Sequence, residues 1–437
     1  MLLCGRVLFE RLTRDSSLLR LGFVIASLLA GLLGNPAFAQ NFNATIEPLP
    51  DSVTVRPRPD YDAIGIQTGA FVLKPSASLT ETYNDNIYAT KTNRKSDFIT
   101  EIQPKLQVDS LWSRHALNFA ILGDLGYHAS ATTEDYTNID VHQGGRLDIG
   151  GSGSLTEEAY FQRYEESRTS VDDPRAMSPV KVDLTGGALE YRHEGGSFFG
   201  SLRGTISDSN FHNTVTNNGA VVNNHDRDRT VGTGALEMGY DSGGLIRPFV
   251  QVTGMKVDFK QAFDDFGLNR DSTGYAVNGG ILFPVTALIK GRVFAGYIAR
   301  EFQDLALADI HTIGYGGTLL WSPNRSTAIN LQGLRTVEET TLNGASGALS
   351  SSVNLAIDLE LRENLLLHGE AGYRRARFVG IARTDDNWAG GIGLTYLMNH
   401  RLRATLAYDY SSRSVNDIAG NNDYSRNRVN MTVRVQL

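Results

Sequence analysis

The feature that most limits how this chain can fold is a run of segments of alternating polarity from Lys74 to the last residue. Each segment is about 10 to 14 residues long and is rich in Val, Leu, Tyr, Thr and Gly. In the segment 353–361, five apolar side chains alternate with Asn354, Asp358 and Glu360. Because successive side chains of a β-strand point to opposite faces, this period predicts strands with one apolar and one polar face.

The connections between these segments add a second constraint, because short and long connections alternate strictly along the chain. Short links such as LWSR, GSG and SPNR alternate with long ones such as SATTEDYTN and SRTSVDDPRAMSP. A soluble β-sandwich has no reason to keep this order. A membrane barrel does, since its periplasmic turns are tight and its outer loops are longer. The chain is therefore predicted to be all-β, a transmembrane antiparallel up-and-down β-barrel.

The predicted barrel has about 18 strands, or 16 if two boundaries are drawn differently. The predicted strands are 74–83, 97–109, 115–128, 140–150, 154–166, 180–193, 197–208, 229–241, 245–258, 272–283, 287–301, 311–321, 326–337, 348–361, 364–378, 386–397, 401–411 and 426–437. An even count returns both ends to the periplasmic side. Only one residue in two would meet lipid, which is consistent with a mean hydropathy of -0.22.

Aromatic residues fall near segment ends on the predicted lipid face. This position suits amphipathic rings, which favour the boundary between hydrocarbon and headgroups. The predicted girdle residues are Tyr127, Tyr240, Phe283, Trp321, Trp388, Tyr396 and Tyr410.

The N-terminus has the pattern of an export signal. An arginine-bearing segment precedes the apolar stretch Leu21–Leu33, and Ala37-Phe38-Ala39 follows a proline. This order predicts a signal peptide over residues 1–39, cleaved between Ala39 and Gln40. The alternative is a membrane anchor, but an apolar core of about 13 residues is short for ~30 Å of hydrocarbon.

Three regions follow from these boundaries: the signal peptide 1–39, a periplasmic segment 40–73 and the barrel 74–437. Four prolines, Pro48, Pro50, Pro57 and Pro59, mark the middle region. Proline removes a backbone donor and favours extended conformations, so this region is predicted to be a linker or a segment that enters the lumen.

Several functional classes are excluded or disfavoured by composition. The single cysteine, Cys4, lies in the predicted signal peptide, which removes disulfides and thiolate metal sites from the mature chain. A net charge of -7 does not suggest nucleic acid as a partner. The nine histidines have no metal-site spacing, and no P-loop, G-x-S-x-G or G-x-G-x-x-G motif occurs. We predict no metal, no cofactor and no enzymatic activity.

Charged residues on the predicted lumen face are candidates for lining a pore, where they would bias the passage of ions or sugars. Their simpler role is to hydrate the lumen or to pair across strands. The pore-lining candidates are Lys290, Arg292, Arg300, Arg401, Arg403, Arg428, Arg434, Asp358 and Glu360. Arginines near the C-terminus suggest a wall that tolerates anions.

One region resembles a known family. FVLKPSASLTETYNDNIYAT is followed by SDFITEIQPKLQVDSLWSRHALNF, so that an opening strand with a YNDNIY loop precedes a D-x-I-x-x-I-x-P strand and a W-x-R-H turn. The matching residues are Tyr83 to Tyr88, Asp97, Ile99, Ile102, Pro104, Trp112, Arg114 and His115. The pattern resembles the β-barrel porin 2 family of Gram-negative outer membranes. The resemblance covers about 50 residues and implies an outer-membrane barrel, with a porin role or, as in some relatives of this type, a link to surface-polysaccharide export.

The last segment, RNRVNMTVRVQL, alternates up to its final residue. Its apolar set resembles the C-terminal signal that barrel-assembly machinery recognises, although Leu437 replaces the usual terminal aromatic. The predicted assembly signal is Val429, Met431, Val433, Val435 and Leu437. This strand is expected to close the barrel against the first, because an unpaired edge in lipid is costly.

Together these features predict an outer-membrane porin that admits small hydrophilic solutes. An accessory barrel or conduit for polysaccharide export is the first alternative, and an outer-membrane lipid hydrolase is the second. Outer-membrane lipid and the barrel-assembly machinery are the expected partners. The oligomeric state and the folding of the loops are left open.

Overall fold

The computed structural model describes residues 52–286, 288–416 and 422–437. The predicted signal peptide, its cleavage site between Ala39 and Gln40 and the first part of the segment 40–73 lie outside the described residues. In the part of the chain that is described, no helix has the length and apolar character needed to cross a membrane.

The structure consists almost entirely of antiparallel strands. In chain order they are β1 (Ile66–Thr68), β2 (Phe71–Asn84), β3 (Asp97–Ser110), β4 (Ala116–His128), β5 (Tyr136–Ile149), β6 (Gly153–Glu165), β7 (Lys181–Gly195), β8 (Phe198–Phe211), β9 (Thr214–Val215), β10 (Val221–Val222), β11 (Arg229–Tyr240), β12 (Arg247–Phe259), β13 (Ser272–Thr286), β14 (Ile289–Phe302), β15 (Ile310–Asn324), β16 (Thr327–Glu338), β17 (Gly347–Arg362), β18 (Leu365–Val379), β19 (Thr384–Asn399), β20 (Leu402–Asn416) and β21 (Tyr424–Gln436). Two short 3-10 helices, Thr132–Glu134 and His225–Arg227, lie in loops.

Eighteen of the described strands, β2–β8 and β11–β21, form a closed barrel in which each pairs with its neighbours in sequence. The ring closes where β2 pairs with β21. The predicted fold class and strand count are confirmed. The short strand β1 and the small hairpin of β9 and β10, which lies within a loop, were not predicted.

Turns and loops occupy opposite ends of the barrel. One end carries tight turns, such as residues 196–197 between β7 and β8. Gly196 has a φ of 66° in that turn, a left-handed conformation that glycine adopts without strain. The other end carries loops such as 85–96, 166–180 and 212–228. The loop 380–383 is an exception, since it is shorter than the turn 241–246.

The side chains alternate across the barrel wall as the sequence predicts. The five residues of the predicted assembly signal, four on β21 and Leu437 directly after it, are exposed on the outer face, while Arg426 and Gln436 are buried on the inner face. Among the predicted girdle aromatics, Trp388 is 57 % exposed and Tyr127 is 49 % exposed. The apolar face therefore covers the outside of the barrel and the polar face lines its lumen.

Hydrogen bonds hold the closing seam both on the inner face of the barrel and at the C-terminal residue. The hydroxyls of Thr80 and Thr432 lie 2.8 Å apart on the inner face. The backbone N–H of Leu437 donates to the carbonyl of Pro75 over 3.1 Å. Toward the turn end, β1 pairs with residues 71–73 of β2. The edge of β2 that extends past the end of β21 is therefore also hydrogen-bonded.

The upper ends of β16 and β17 leave the wall and fold into the lumen. Pairing of β15 with β16 stops at Tyr315, although β15 extends to Ile310. Val337 and Leu349 have the parity of the lipid face, yet they are 4 % and 6 % exposed. They pack in an apolar cluster with inward residues of the facing wall, namely Phe199, Phe249, Ala276, Phe294, Ile298 and Ile310. An apolar core therefore lies inside the barrel near its loop end.

Candidate functional site: the lumen and its two narrow regions

Two arginines on the inner face of β14 are neutralised within the wall. The Arg292 guanidinium donates to the Glu237 carboxylate over 2.6 Å and lies 3.8 Å from the centre of the Phe249 ring. Arg300 forms an ion pair with Glu339 and donates to the Ser272 hydroxyl. Both side chains are almost fully buried. The charges of Arg292 and Arg300 are therefore neutralised by acidic residues of the protein. Lys290 lies near the turn end of the same strand.

A second group of predicted residues lies on β20 and β21. Arg403 and Arg434 face each other in register on the inner face. Arg428 lies 3.8 Å from the Asp409 carboxylate. Arg401 lies outside the wall, in the turn between β19 and β20, where it is exposed.

The acidic candidates lie on β17. The Asp358 carboxylate is 2.8 Å from the His368 ring. Glu360 accepts hydrogen bonds from two arginines of the N-terminal segment, Arg56 and, over 2.9 Å, Arg58. The structure thus brings Glu360 together with residues that sequence reasoning did not select.

The described part of the N-terminal segment, residues 52–65, lies against the turn end of the lumen. Arg56 also donates to the carbonyl of Arg325 in the turn between β15 and β16, over 3.1 Å. On the β20 and β21 side, the Gln436 amide donates to the Tyr61 carbonyl over 3.2 Å. The ring of His400 lies 3.1 Å from the Asp62 carbonyl. The segment therefore spans the turn-end mouth from β17 to β21. We name it the mouth segment.

At the loop end of the barrel, the lumen is narrowed by the loop 166–180, between β6 and β7. Arg168 donates two hydrogen bonds to Glu134 of the loop between β4 and β5, at 2.9 and 2.6 Å. Arg413 of β20 donates to the carbonyl of Thr169 over 3.1 Å. The Thr340 hydroxyl donates to Asp172 over 2.9 Å. The loop between β6 and β7 thus crosses the lumen and reaches both β20 and the loop between β16 and β17. We name it the crossing loop.

Apolar and ionic contacts hold the crossing loop in place. Val171 packs against a buried cluster formed by Ala345 of the loop between β16 and β17 and by Ala348, Ala376 and Phe378 on the inner faces of β17 and β18. Burial raises the pKa of the Asp173 carboxyl above its ordinary value, although Arg168 and Arg175 oppose the shift. Arg227 of a neighbouring loop pairs with Glu166 over 2.6 Å. The loop is therefore fixed at several points around the barrel.

Sequence patterns could reveal only part of this arrangement. Arg56 and Arg58 alternate with Pro57 and Pro59, and the prolines favoured interpretation as a linker. Two arginines between prolines, close to the first strand, are the one sequence signal that could have indicated a contact with the barrel. The inward course of the crossing loop has no comparable signal, because its polar composition resembles that of any solvated loop.

A closed barrel with an apolar outer face, a polar lumen and an inward loop defines an outer-membrane β-barrel of the porin type. The comparison with family models agrees. The model described as "Putative beta-barrel porin 2" matches residues 58–437, and the chain belongs to that family. The predicted resemblance and the outer-membrane location are confirmed.

Several solved structures align with this chain at low identity. OpdK with vanillate from Pseudomonas aeruginosa is 10 % identical, with a TM-score of 0.44 and coverage of 84 % of this chain and 99 % of that one. A BenF-like porin from Pseudomonas fluorescens Pf-5 gives the same values. OccK5 (OpdH) from Pseudomonas aeruginosa is 10 % identical, with a TM-score of 0.42 and coverage of 84 % and 98 %. No curated protein matches the sequence significantly.

Proposed function

We propose that this protein is a passive diffusion pore for small hydrophilic solutes, with no enzymatic activity of its own. The observation that carries the proposal is the polar inner face of a closed 18-strand barrel, crossed by a loop that is fixed to the opposite wall. Barrels of 16 to 18 strands leave an aqueous channel unless they are filled. The crossing loop divides that channel and restricts it to small solutes.

Planar-bilayer recording tests this proposal directly. The wild-type barrel should give stable open steps, and removal of residues 170–177 from the crossing loop should enlarge them. Removal of residues 217–219, an exposed loop tip, is the matched control and should leave the step size unchanged. A wild-type barrel that never opens, or two deletions with equal effects, would contradict the proposal.

The predicted pore-lining residues are proposed to set ion selectivity, and their positions sharpen the test. Arg403 faces the lumen, whereas Arg401 lies in an exposed turn. The substitution Arg403→Glu should shift the reversal potential toward cation preference. Arg401→Glu should shift it much less, because its charge is screened by solvent at the rim. Equal shifts would remove Arg403 from the proposed ion path.

Polysaccharide export is less well supported by the geometry. A long chain needs an uninterrupted path, whereas the crossing loop reaches β20 and the mouth segment contacts β17 and β21. The mouth segment also makes its contacts within the barrel mouth, so it is not simply an arm extended toward a periplasmic partner. Capsule loss on deletion of the gene, together with a barrel that does not conduct, would favour export instead.

A lipid hydrolase has one geometric candidate among the described residues. The Ser152 hydroxyl lies 3.5 Å from Nδ1 of His193, at the turn end of the barrel. This distance is at the limit of a hydrogen bond, and no ion pair between His193 and a carboxylate is seen in the described part of the chain. Lipid release by the wild type that disappears in Ser152→Ala would overturn the non-enzymatic proposal.

A further inference from the structure

The arginine pair formed by Arg403 and Arg434 has no carboxylate within hydrogen-bond distance among the described residues. The two residues lie directly opposite each other on the inner faces of β20 and β21. Like charges in this arrangement are unfavourable. By contrast, Arg292 on β14 contacts a carboxylate at 2.6 Å. An anion between Arg403 and Arg434 would relieve the repulsion.

The arginine pair has spare hydrogen-bond donors. Arg434 donates to the Ser76 hydroxyl over 3.0 Å, and no described acidic residue forms an ion pair with it. Its Nε and the Nε of Arg403 are both buried without a hydrogen-bond partner among the described residues. A guanidinium presents its donors in a planar fork that matches the oxygens of a carboxylate or phosphate. Two such forks side by side suit a small oxyanion.

One carboxylate already lies beside this pair, and it comes from the mouth segment. Asp62 Oδ1 is 3.6 Å from Arg403, which is a charge contact too long for a hydrogen bond, whereas Asp62 Oδ2 accepts a hydrogen bond from the backbone N–H of Arg58 over 2.6 Å. The Asp62 carbonyl is within reach of the His400 ring, and the carbonyl of Tyr61 accepts from Gln436. Asp62 is therefore held where an incoming anion would bind.

We propose that the arginine pair is a binding site for small oxyanions, and that Asp62 occupies it as a weak internal substitute when the mouth segment is in place. An anion that binds both guanidiniums displaces the Asp62 side chain and loosens the mouth segment on the β20 and β21 side. The contacts of Arg58 with Glu360 remain and act as a hinge on the other side. This inference rests on the proposed function, because it names the class of solute that would pass.

A single spin label on the mouth segment tests the displacement. The full chain carrying Cys4→Ser has no cysteine, so Asp60→Cys, at an exposed position beside Asp62, gives one labelling site. Inorganic phosphate, added to the barrel in vesicles at constant ionic strength, should increase the mobile fraction of the nitroxide. Arg403→Gln combined with Arg434→Gln should abolish this response. Arg401→Gln, the neighbouring arginine in the turn, should respond like the wild type.

A second variant separates displacement from a general loss of structure. Asp62→Asn removes the internal competitor, so the label should already be more mobile without phosphate. The phosphate affinity of Asp62→Asn, measured by calorimetry, should be up to about fivefold higher than that of the wild type, because one weak charge contact no longer has to be broken. An unchanged phosphate affinity in Asp62→Asn would overturn the competition, and an equal phosphate response in the double arginine variant would overturn the site.

Conductance of the same preparation distinguishes this inference from the proposed function. A barrel that conducts but shows no phosphate response overturns the anion site alone. A barrel that responds to phosphate but never conducts overturns the diffusion pore alone.

Discussion

At the scale of single residues, arginine has two distinct uses in this lumen. Arg292 and Arg270 are buried against carboxylates, and Arg270 also donates to the carbonyls of Thr340 and Ala345. These side chains join separate parts of the barrel. Arg403 and Arg434 are half-buried, and no described carboxylate lies within hydrogen-bond distance of either. The first group stabilises the structure, and the second is proposed to contact solutes.

The buried pair of Arg292 and Glu237 should be sensitive to loss of one partner. Arg292→Gln leaves the Glu237 carboxylate, which is 3 % exposed, without its counter-ion. We expect a loss of about 3 kcal/mol in the free energy of unfolding, measured by urea titration in vesicles. Glu237→Gln in addition should restore part of the loss, and Lys290→Gln on the same strand should have little effect. Equal unfolding midpoints for Arg292→Gln and the wild type would contradict this role.

The contact between Lys91 and Asp423 predicts a pH dependence in the loops. Lys91 donates to Asp423 over 2.8 Å, and this hydrogen bond, together with one from the backbone of Val415, holds the pKa of Asp423 below its ordinary value. A lowered pKa means that the contact stabilises the loops above pH ~3.9 and is lost as the pH falls through the lower folded value. The carboxyl chemical shift of Asp423 should follow this titration by NMR. Lys91→Met should raise the midpoint, and an unchanged midpoint would exclude Lys91 as the cause.

The face on which a charged side chain lies could be predicted from alternation alone, because the period of a strand is two. Arg403, Arg428 and Arg434 lie on the inner face accordingly. Arg401 shares the parity of Arg403 but precedes the first residue of β20. Parity has no meaning in a turn, and for this reason the sequence could not separate Arg401 from Arg403.

At the scale of elements, the lumen is shaped by segments that leave the wall. The crossing loop enters from β6 and β7, and the upper ends of β16 and β17 bend inward to meet it. Gly347, Ala348, Leu349 and Ser350 are consecutive and all buried, so both faces of this part of β17 are covered. A strand of the wall has one face toward lipid, whereas this part of β17 is inside the molecule.

A pair of leucines on one strand can distinguish these environments. Leu349 and Leu355 share the lipid-face parity of β17, but Leu349 is 6 % exposed and Leu355 is 36 % exposed. Leu349→Ala should lose about 3 to 5 kcal/mol, because it combines lost transfer energy with a cavity. Leu355→Ala should lose only about 2 kcal/mol, because lipid closes over the shorter side chain. Urea unfolding in vesicles measures both, and equal losses would place Leu349 in the lipid face.

The inward bend was not predictable because the sequence keeps the same alternation through it. Val337 and Leu349 continue the pattern of Leu331 and Val353, which are exposed to lipid. What differs is the partner surface, formed by Phe294, Ile298 and other inward side chains on strands distant in sequence. Local periodicity carries no information about such a partner.

At the scale of the whole molecule, the barrel depends on a seam between its first and last strands. β2 and β21 pair from Ser76 with Gln436 to Asn84 with Arg428. Every other pairing in the ring joins strands that follow each other along the chain, with only the loop hairpin of β9 and β10 between β8 and β11, so this seam is the contact that turns a long sheet into a barrel. The alternation of β21 predicted its role as the closing strand, and the antiparallel pairing follows from the even number of strands.

Removal of Val433–Leu437 should therefore abolish insertion. The deletion would leave residues 76–79 of β2 and 402–404 of β20 without their β21 partners, so one edge of each strand would be unpaired at the turn end of the wall. Each backbone group left without a hydrogen bond in hydrocarbon costs several kcal/mol, and the remaining contacts of these strands do not offset that cost. Heat-modifiable mobility on gels and protease resistance of outer-membrane fractions report insertion, and normal values for the deletion would contradict the closure.

The same end of the chain can separate closure from recognition by the barrel-assembly machinery. Leu437 follows β21, and among the described residues its contact with the seam is the hydrogen bond from its N–H to Pro75. Leu437→Asp should leave the seam intact, so spontaneous folding into vesicles should proceed as in the wild type. Assembly in cells should fall if the apolar terminus is the recognition signal, and Leu437→Phe should assemble at least as well as the wild type. If Leu437→Asp slows both processes equally, its side chain acts in the seam itself and not as a signal.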